Sequence, residues 1–215
     1  MKYVKITIGL IVLLTVGCKA DITVDEDIYG NEIVLPQDTY KVYDINDKIS
    51  IIYGQTGSIY IKDNGEHNKV QECLGSYPEL SPNKSSIAFV TGETDAPGEL
   101  YLYKFKDNKK IKLLDNNDGN DTPKAVKWLD NKKLIVITGY GHGTVKMGGK
   151  VQICNIDNKK ITPILIPNDM SEYRKITKNG DSYEFELITW KDDSYNEYDT
   201  EIKIYTVREI NQLIN

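Results

Sequence analysis

Short alternating runs of apolar and polar residues recur along this chain: SIYIKD at 58–63, ELYLYKF at 99–105, KVQICNI at 150–156 and EIKIYTV at 201–207. A period of two is the signature of a strand with one face in a core. Aligned on Ile59, Leu100, Val151 and Ile202, the runs recur at about 41, 51 and 51 residues, the spacing of a repeated supersecondary unit. Between them a turn phrase returns, as Asp63-Asn64-Gly65, Asp107-Asn108-Lys109-Lys110, Asp130-Asn131-Lys132-Lys133, Asp157-Asn158-Lys159-Lys160 and Asn179-Gly180-Asp181. Asp and Asn bond their own backbone and tolerate positive φ, so each phrase predicts a tight turn. Each unit parses as four strands. They are YKVYDI, KISIIYG, SIYIKD and KVQECL, then YPELS, SIAFVT, ELYLYKF and KIKLLD, then KAVKWL, KLIVITG, KVQICNI and ITPILI. The last unit, YRKIT, SYEFELITW and EIKIYTV, is one strand short. The stretch from Thr206 reads as a short helix, with a Thr206/Glu209 capping box and apolar positions at 207, 210, 213 and 214. The segment around Ile33–Leu35 is expected to lend the missing strand and close a ring. The fold class is therefore all-β, a small β-propeller-like domain of about four antiparallel units, with a β-sandwich or incomplete propeller as the alternative.

Residues 80–90, Leu-Ser-Pro-Asn-Lys-Ser-Ser-Ile-Ala-Phe-Val, followed by Leu100-Tyr101-Leu102-Tyr103, resemble the repeat of TolB-type β-propellers. Trp128-Leu129-Asp130-Asn131 before Leu134-Ile135-Val136 is a weaker copy. The chain is also similar to a group of Firmicute lipoproteins whose domain has no assigned function. There a Trp-containing strand precedes a Gly-Thr-Val…Gly-Gly segment, here Trp128, Gly143-Thr144-Val145 and Gly148-Gly149. The resemblance implies fold and location and carries over no catalytic residue.

The N-terminus changes the picture most. Lys2 and Lys5 precede an apolar run from Ile6 to Val16, too short to span a bilayer and right for a signal peptide. It ends in Gly17-Cys18, which resembles the lipoprotein cleavage site and makes Cys18 the expected lipidated residue. Thr15 departs from the Leu more usual at that place. The expected division is a signal peptide at 1–17, an acidic lipid-anchored tether at 18–38 and the β-propeller-like domain at 39–215. The location follows: the extracytoplasmic face of a bacterial cell membrane. Cys73 and Cys154 remain, and the sequence leaves open a disulfide or a buried thiol in the strand VQICNI. The 215 residues carry a net charge of −5, which argues against nucleic acid as a partner.

Numbering the strands A to D in each unit puts the A–B and C–D turns at one end. All these are short except a longer C–D turn expected at Asn64–Asn68, which holds His67. The long B–C loops and D–A links gather at the other end and mark the candidate binding face. Its expected residues are Glu93, Asp95, Asp118, Asp121, Tyr140, His142, Lys146, Asp192, Asp193, Tyr195 and Tyr198. The short-turn end is rich in Lys, which suits ordinary solvated turns or a basic face on anionic lipid. GYGHGTVKMGGK at 139–150 follows a strand as a phosphate loop would, but another strand follows it, not a helix. Its glycines are expected to supply positive φ in a folded-back B–C loop.

No cofactor is expected. The one stretch with oxygen enough for Ca²⁺ is DNNDGND, offering Asp115, Asp118 and Asp121, and it lacks the EF-hand order. No Ser-His-Asp arrangement is visible, since His67 and His142 fall at opposite ends. The expected function is a membrane-anchored binding module that meets an unknown protein or glycan through acidic, Tyr-containing loops. The alternative is a lipoprotein hydrolase using loop carboxylates, such as Asp118 with Asp192, with Ca²⁺ assisting.

Overall fold

The structure is a computed structural model that describes residues 25–26, 32–33, 39–54, 57–63, 66–71, 77–92, 97–114, 121–142 and 145–214. The chain divides into two units, 1–38 and 39–215. In the first, β1 (Asp25–Glu26) pairs antiparallel with β2 (Glu32–Ile33).

The second unit is four successive meanders. Sheet one holds β3 (Thr39–Asp44), β4 (Ile49–Gly54), β5 (Ile59–Asp63) and β6 (Glu66–Gln71). Sheet two holds β7 (Glu79–Leu80), β8 (Ser86–Val90), β9 (Leu100–Lys104) and β10 (Lys109–Leu114). Sheet three holds β11 (Thr122–Trp128), β12 (Lys133–Gly139), β13 (Lys150–Asn155) and β14 (Ile161–Leu165). Sheet four holds β15 (Ser171–Asn179), β16 (Ser182–Trp190) and β17 (Tyr198–Thr206), and α1 (Val207–Ile214) follows. Every sheet is antiparallel with its strands in chain order, the arrangement of propeller blades.

Local chemistry explains the short turns. Asn46 Oδ1 accepts the N–H groups of Lys48 and Ile49 at 2.9 and 3.0 Å. Asp130 Oδ1 takes those of Lys132 and Lys133 at 2.7 and 2.8 Å. Positive φ falls in these turns, at Lys84, Asn108, Lys159 and Gly180. The first strands of sheets one, three and four share one irregularity. Each carries a register shift near its start, at Thr39/Lys41, Pro123/Ala125 and Tyr173/Lys175. Such a bulge re-aims side chains and sharpens twist.

Three apolar cores join neighbouring sheets. Ile51, Ile59 and Ile61 of sheet one meet Ile87, Phe89 and Tyr103 of sheet two. Leu100, Leu102 and Leu113 meet Val126, Trp128, Leu134 and Cys154 of sheet three. Ile135, Ile137 and Ile153 meet Tyr173, Ile176, Tyr183 and Phe185 of sheet four, with Ile210 of α1. Polar stitches cross the same seams. Trp128 Nε1 donates to the Glu79 carbonyl at 2.8 Å, and the Tyr183 hydroxyl donates to the Trp128 carbonyl. The helix begins with the expected box: Glu209 Oε2 accepts Thr206 N–H at 2.7 Å, and Glu209 N–H donates to Thr206 Oγ1 at 3.2 Å.

Three expectations are corrected and one open alternative, at Cys154, is settled. The strand of Ile33 pairs with β1 inside the first unit, and among the described residues sheet four has three strands with β17 at its edge. The turn after Asp63 is short, and His67 lies in β6 opposite Lys62, because the alternation of β6 begins at Glu66. Burial and the Lys62 charge lower the His67 pKa, which keeps the ring neutral at neutral pH. Cys154 is a free, buried thiol, and Cys73 lies outside the described residues. Among the described glycines of the 139–150 loop, none has positive φ. They serve close backbone approach instead: a Cβ on Gly139 would sit 1.8 Å from the Gly148 carbonyl oxygen, and one on Gly148 would sit 2.1 Å from that of Tyr173.

Candidate functional site

The end of the unit that carries the long connections is built by sheets three and four. β12 ends at Gly139, β14 at Leu165 and β16 at Trp190, and their loops return into β13, β15 and β17. The Gly-rich loop is fastened to β15. Gly149 N–H donates to the Tyr173 carbonyl at 3.0 Å, and Tyr173 N–H donates back to Gly149 at 2.8 Å. Gly148 N–H donates to Glu172 Oε2 at 3.0 Å.

Glu172 is 2% exposed, so its charge requires a partner. Arg174 supplies it, with Nε 2.5 Å from Glu172 Oε1. Glu172 and Arg174, two apart in β15, share the face opposite Tyr173, and the bulge after Tyr173 returns Ile176, three residues on, to the core. There its guanidinium lies 5.1 Å from the Trp190 ring centre and 5.4 Å from that of Tyr198, and Nη2 donates to the Val145 carbonyl at 3.0 Å. Trp190 stands edge-on to Tyr195 at 5.5 Å and to Tyr198 at 5.1 Å. Lys146 caps the cluster, 5.0 Å over the Tyr195 ring, with Nζ donating to the Asp169 carbonyl at 2.6 Å. Tyr195 holds φ 56°, a left-handed conformation closed by its N–H on the Asp192 carbonyl at 3.2 Å. The Trp190 indole N–H is buried with no partner among the described residues.

Beside this cluster runs a shallow groove of about 260 Å³, lined by Tyr140, Lys146, Ile166, Pro167 and Glu172 among others. Ile166 is 74% exposed, and Tyr140, Val145 and Tyr198 are exposed too. Two larger hollows exist. One, of about 560 Å³, lies over the turn at Asp44–Lys48; the other, of about 370 Å³, lies over the seam between Glu79 and Lys178. Neither gathers exposed apolar side chains around a buried ion pair as the loop end does.

Several expected residues meet here. Tyr195, Tyr198 and Lys146 share one cluster, and Tyr140, which lines the adjoining groove, stands edge-on to His142 at 5.8 Å. Three acids of this end have partners within the fold. Asp121 pairs with Lys150 at 2.9 Å, Asp199 pairs with Lys191 at 2.9 Å, and Asp192 Oδ1 accepts Ser194 N–H at 2.8 Å. Local cations and turn amides thus take up these carboxylates. Asp193 is exposed in the same turn, and Glu93, Asp95, Asp115 and Asp118 lie outside the described residues. Among the described residues no group of three or more His, Cys, Asp and Glu could hold a metal ion. Glu172, Arg174 and Trp190 join the site without having been expected from sequence. The one signal in the sequence is Arg174, one of two arginines in a chain whose other cations are lysines.

A family model described as a domain of unknown function (DUF4652) matches residues 81–207, more than half of the chain. No curated protein matches the sequence. Among solved structures, the chain is similar to a Clostridium novyi NT protein named as a conserved lipoprotein, at 24% identity and a TM-score of 0.58, covering 64% of this chain and 89% of that one. A protein named as TolB from Agrobacterium tumefaciens matches at 13% identity and a TM-score of 0.51, over 85% of this chain and 64% of that one. The tricorn protease matches at 13% identity and a TM-score of 0.52, over 79% of this chain but only 16% of the protease. These likenesses show the propeller-type fold.

Proposed function

Starting from a chain that belongs to the DUF4652 family, we propose that it is an interaction module held at the membrane by acylated Cys18. Its contact face is the loop end of sheets three and four, and its partner is a protein. One observation carries the reading: the buried Glu172–Arg174 pair fixes a Trp190–Tyr195–Tyr198 cluster beside a groove that bears exposed Tyr140 and Ile166. Trp, Tyr and Arg dominate the energy of protein interfaces, and here they are rigid before any partner arrives. The ion pair, the bulge and the close glycine contacts set the geometry in advance, so binding orders little. The lipoprotein name of the Clostridium relative and the lipobox-like Gly17-Cys18 support the location. No helix among the described residues is long and apolar enough to cross a membrane, so the lipid would be the anchor that sequence supplies.

The test uses the full-length protein in its native membrane, with a photo-crosslinking residue at Tyr140 or Ile166 and a control at Lys159 in a short turn. A discrete adduct to a different protein is expected from the two loop positions, weakened by Arg174→Ala. Absence of adducts at the loop end, or equal adducts at Lys159, overturns the reading.

A further inference from the structure

Among the described residues β17, nine residues long, pairs only with β16 and forms the edge of sheet four. Its register with β16 is set at both ends by backbone bonds: Lys191 N–H donates to the Glu197 carbonyl at 3.0 Å, and Val207 N–H to the Asp181 carbonyl at 2.9 Å. In an antiparallel ladder, bonding direction alternates residue by residue. The odd-numbered residues of β17 therefore bond to β16, and Thr200, Ile202 and Ile204 turn their N–H and C=O groups outward. The same residues put apolar side chains in water, with Ile202 49% and Ile204 61% exposed. A long edge with apolar side chains is a template for strand addition, and proteins normally blunt such edges.

The residues between them say what fits. On the odd-numbered face, Glu201 and Lys203 stand two apart and pair with each other at 2.5 Å. Outward backbone groups lie at even positions, so an added antiparallel copy of β17 must match even residues with even residues. Only a few such registers exist, and charge separates them. A dyad through Glu201 sets Asp199 opposite Lys203 but opposes Glu201 to itself, a dyad through Lys203 opposes the cation to itself, and a dyad through Ile204 sets Lys203 opposite Tyr205 with no opposite charges across the strands. A dyad through Thr200 opposes Asp199 to Glu201. A dyad through Ile202 sets Glu201 of each copy opposite Lys203 of the other, Ile202 opposite Ile202, and Thr200 opposite Ile204. Opposite charges and β-branched pairs directly across strands stabilise a ladder, and like charges weaken it.

We infer that β17 is the self-docking edge of this protein: two copies join β17 to β17 antiparallel about Ile202, making one continuous six-stranded sheet from two copies of sheet four. This edge shares Tyr198 with the loop face proposed above but is centred on Ile202, four residues away, and the two tests read different events, so either reading can fail alone.

The experiment reads dimerisation of the full-length protein in detergent under mild oxidation. Ile202→Cys places two thiols across a hydrogen-bonded pair, where Cα atoms lie about 5.5 Å apart and a disulfide can form. A disulfide-linked dimer is expected, absent from the parent chain. Adding Glu201→Lys or Lys203→Glu to that variant is expected to cut the crosslinked fraction about tenfold, and adding both to restore it. Restoration by the double swap distinguishes self-pairing from capture of another strand, because only an identical copy changes its own charges in step. No crosslink at Ile202, a crosslink indifferent to the single swaps, or failure of the double swap to restore it overturns the proposal.

Discussion

Arg174 and Glu172 meet at 2.5 Å with the carboxylate 2% exposed, and everything at the loop end hangs on that pair. Removing one partner of a buried pair strands the other charge. Arg174→Ala is expected to destabilise the protein by about 3 kcal/mol in urea unfolding. Arg174→Lys is expected to fall between, since an ammonium keeps the charge but loses the planar stack on Trp190.

The Gly-rich loop tests packing at the level of single carbons. A Cβ on Gly139 would overlap the Gly148 carbonyl oxygen, and one on Gly148 would overlap that of Tyr173. Gly139→Ala and Gly148→Ala are each expected to cost about 1–3 kcal/mol and to lower the thermal midpoint. Gly180→Ala has open space around its Cβ but a φ of 58°, and is expected to cost about 1 kcal/mol through strain alone.

Cys154 supplies a pH signature. Burial pushes its thiol up to about 11 from an ordinary 9.0, and the Lys159 charge opposes this only in part. A raised acid is protonated when folded while the unfolded thiol already ionises. Its contribution is therefore complete below pH 9 and declines as pH rises from about 9 to 11. Denaturant midpoints measured across that window are expected to fall less for Cys154→Val than for the parent. In the folded protein at pH 8, the Cys154 thiol is expected to resist alkylation until the chain unfolds.

The seams between sheets can be probed one hydrogen bond at a time. Trp128→Phe removes the donor to Glu79, and Tyr183→Phe removes the donor to Trp128. Each is expected to cost about 1–2 kcal/mol in chemical denaturation, since a buried carbonyl loses its partner.

The anchor has the plainest test. Cys18→Ser is expected to move the protein from the membrane fraction to the medium, read by fractionation, and unchanged fractionation removes the membrane from the proposed function.

The strands were legible because their chemistry is local. Asp130 and Asn46 close their own turns, and period-two alternation names each core face without knowledge of the partner sheet. The repeat at Ile59, Leu100, Val151 and Ile202 was legible for the same reason: all four lie in the third strand of their sheets. The site was only half legible. Tyr195, Tyr198 and Lys146 were in view, but the bulge at Arg174 breaks the alternation that a sequence reading relies on. Arg174 meets Trp190 through strand pairing across β15 and β16, which no local spacing encodes. The partners of the loop acids were hidden for a related reason: Asp121 and Lys150 are 29 residues apart in sequence and joined only by folding.

Trp128 uses its indole toward sheet two and its carbonyl toward sheet four, so sheet three is secured from both sides. Each sheet is buttressed by its chain neighbours, and the three cores run in a line: one to two, two to three, three to four. Such an arrangement is a one-dimensional array of coupled units, with end units that have a single neighbour. Amide exchange should grade accordingly, slowest at Ile135 and Val136 in the interior of β12 and faster in β4 of sheet one. Sheet one, joined through a single core, is then the unit that opens first under load. Sheet three is the last to yield and sets how long the molecule survives as a whole.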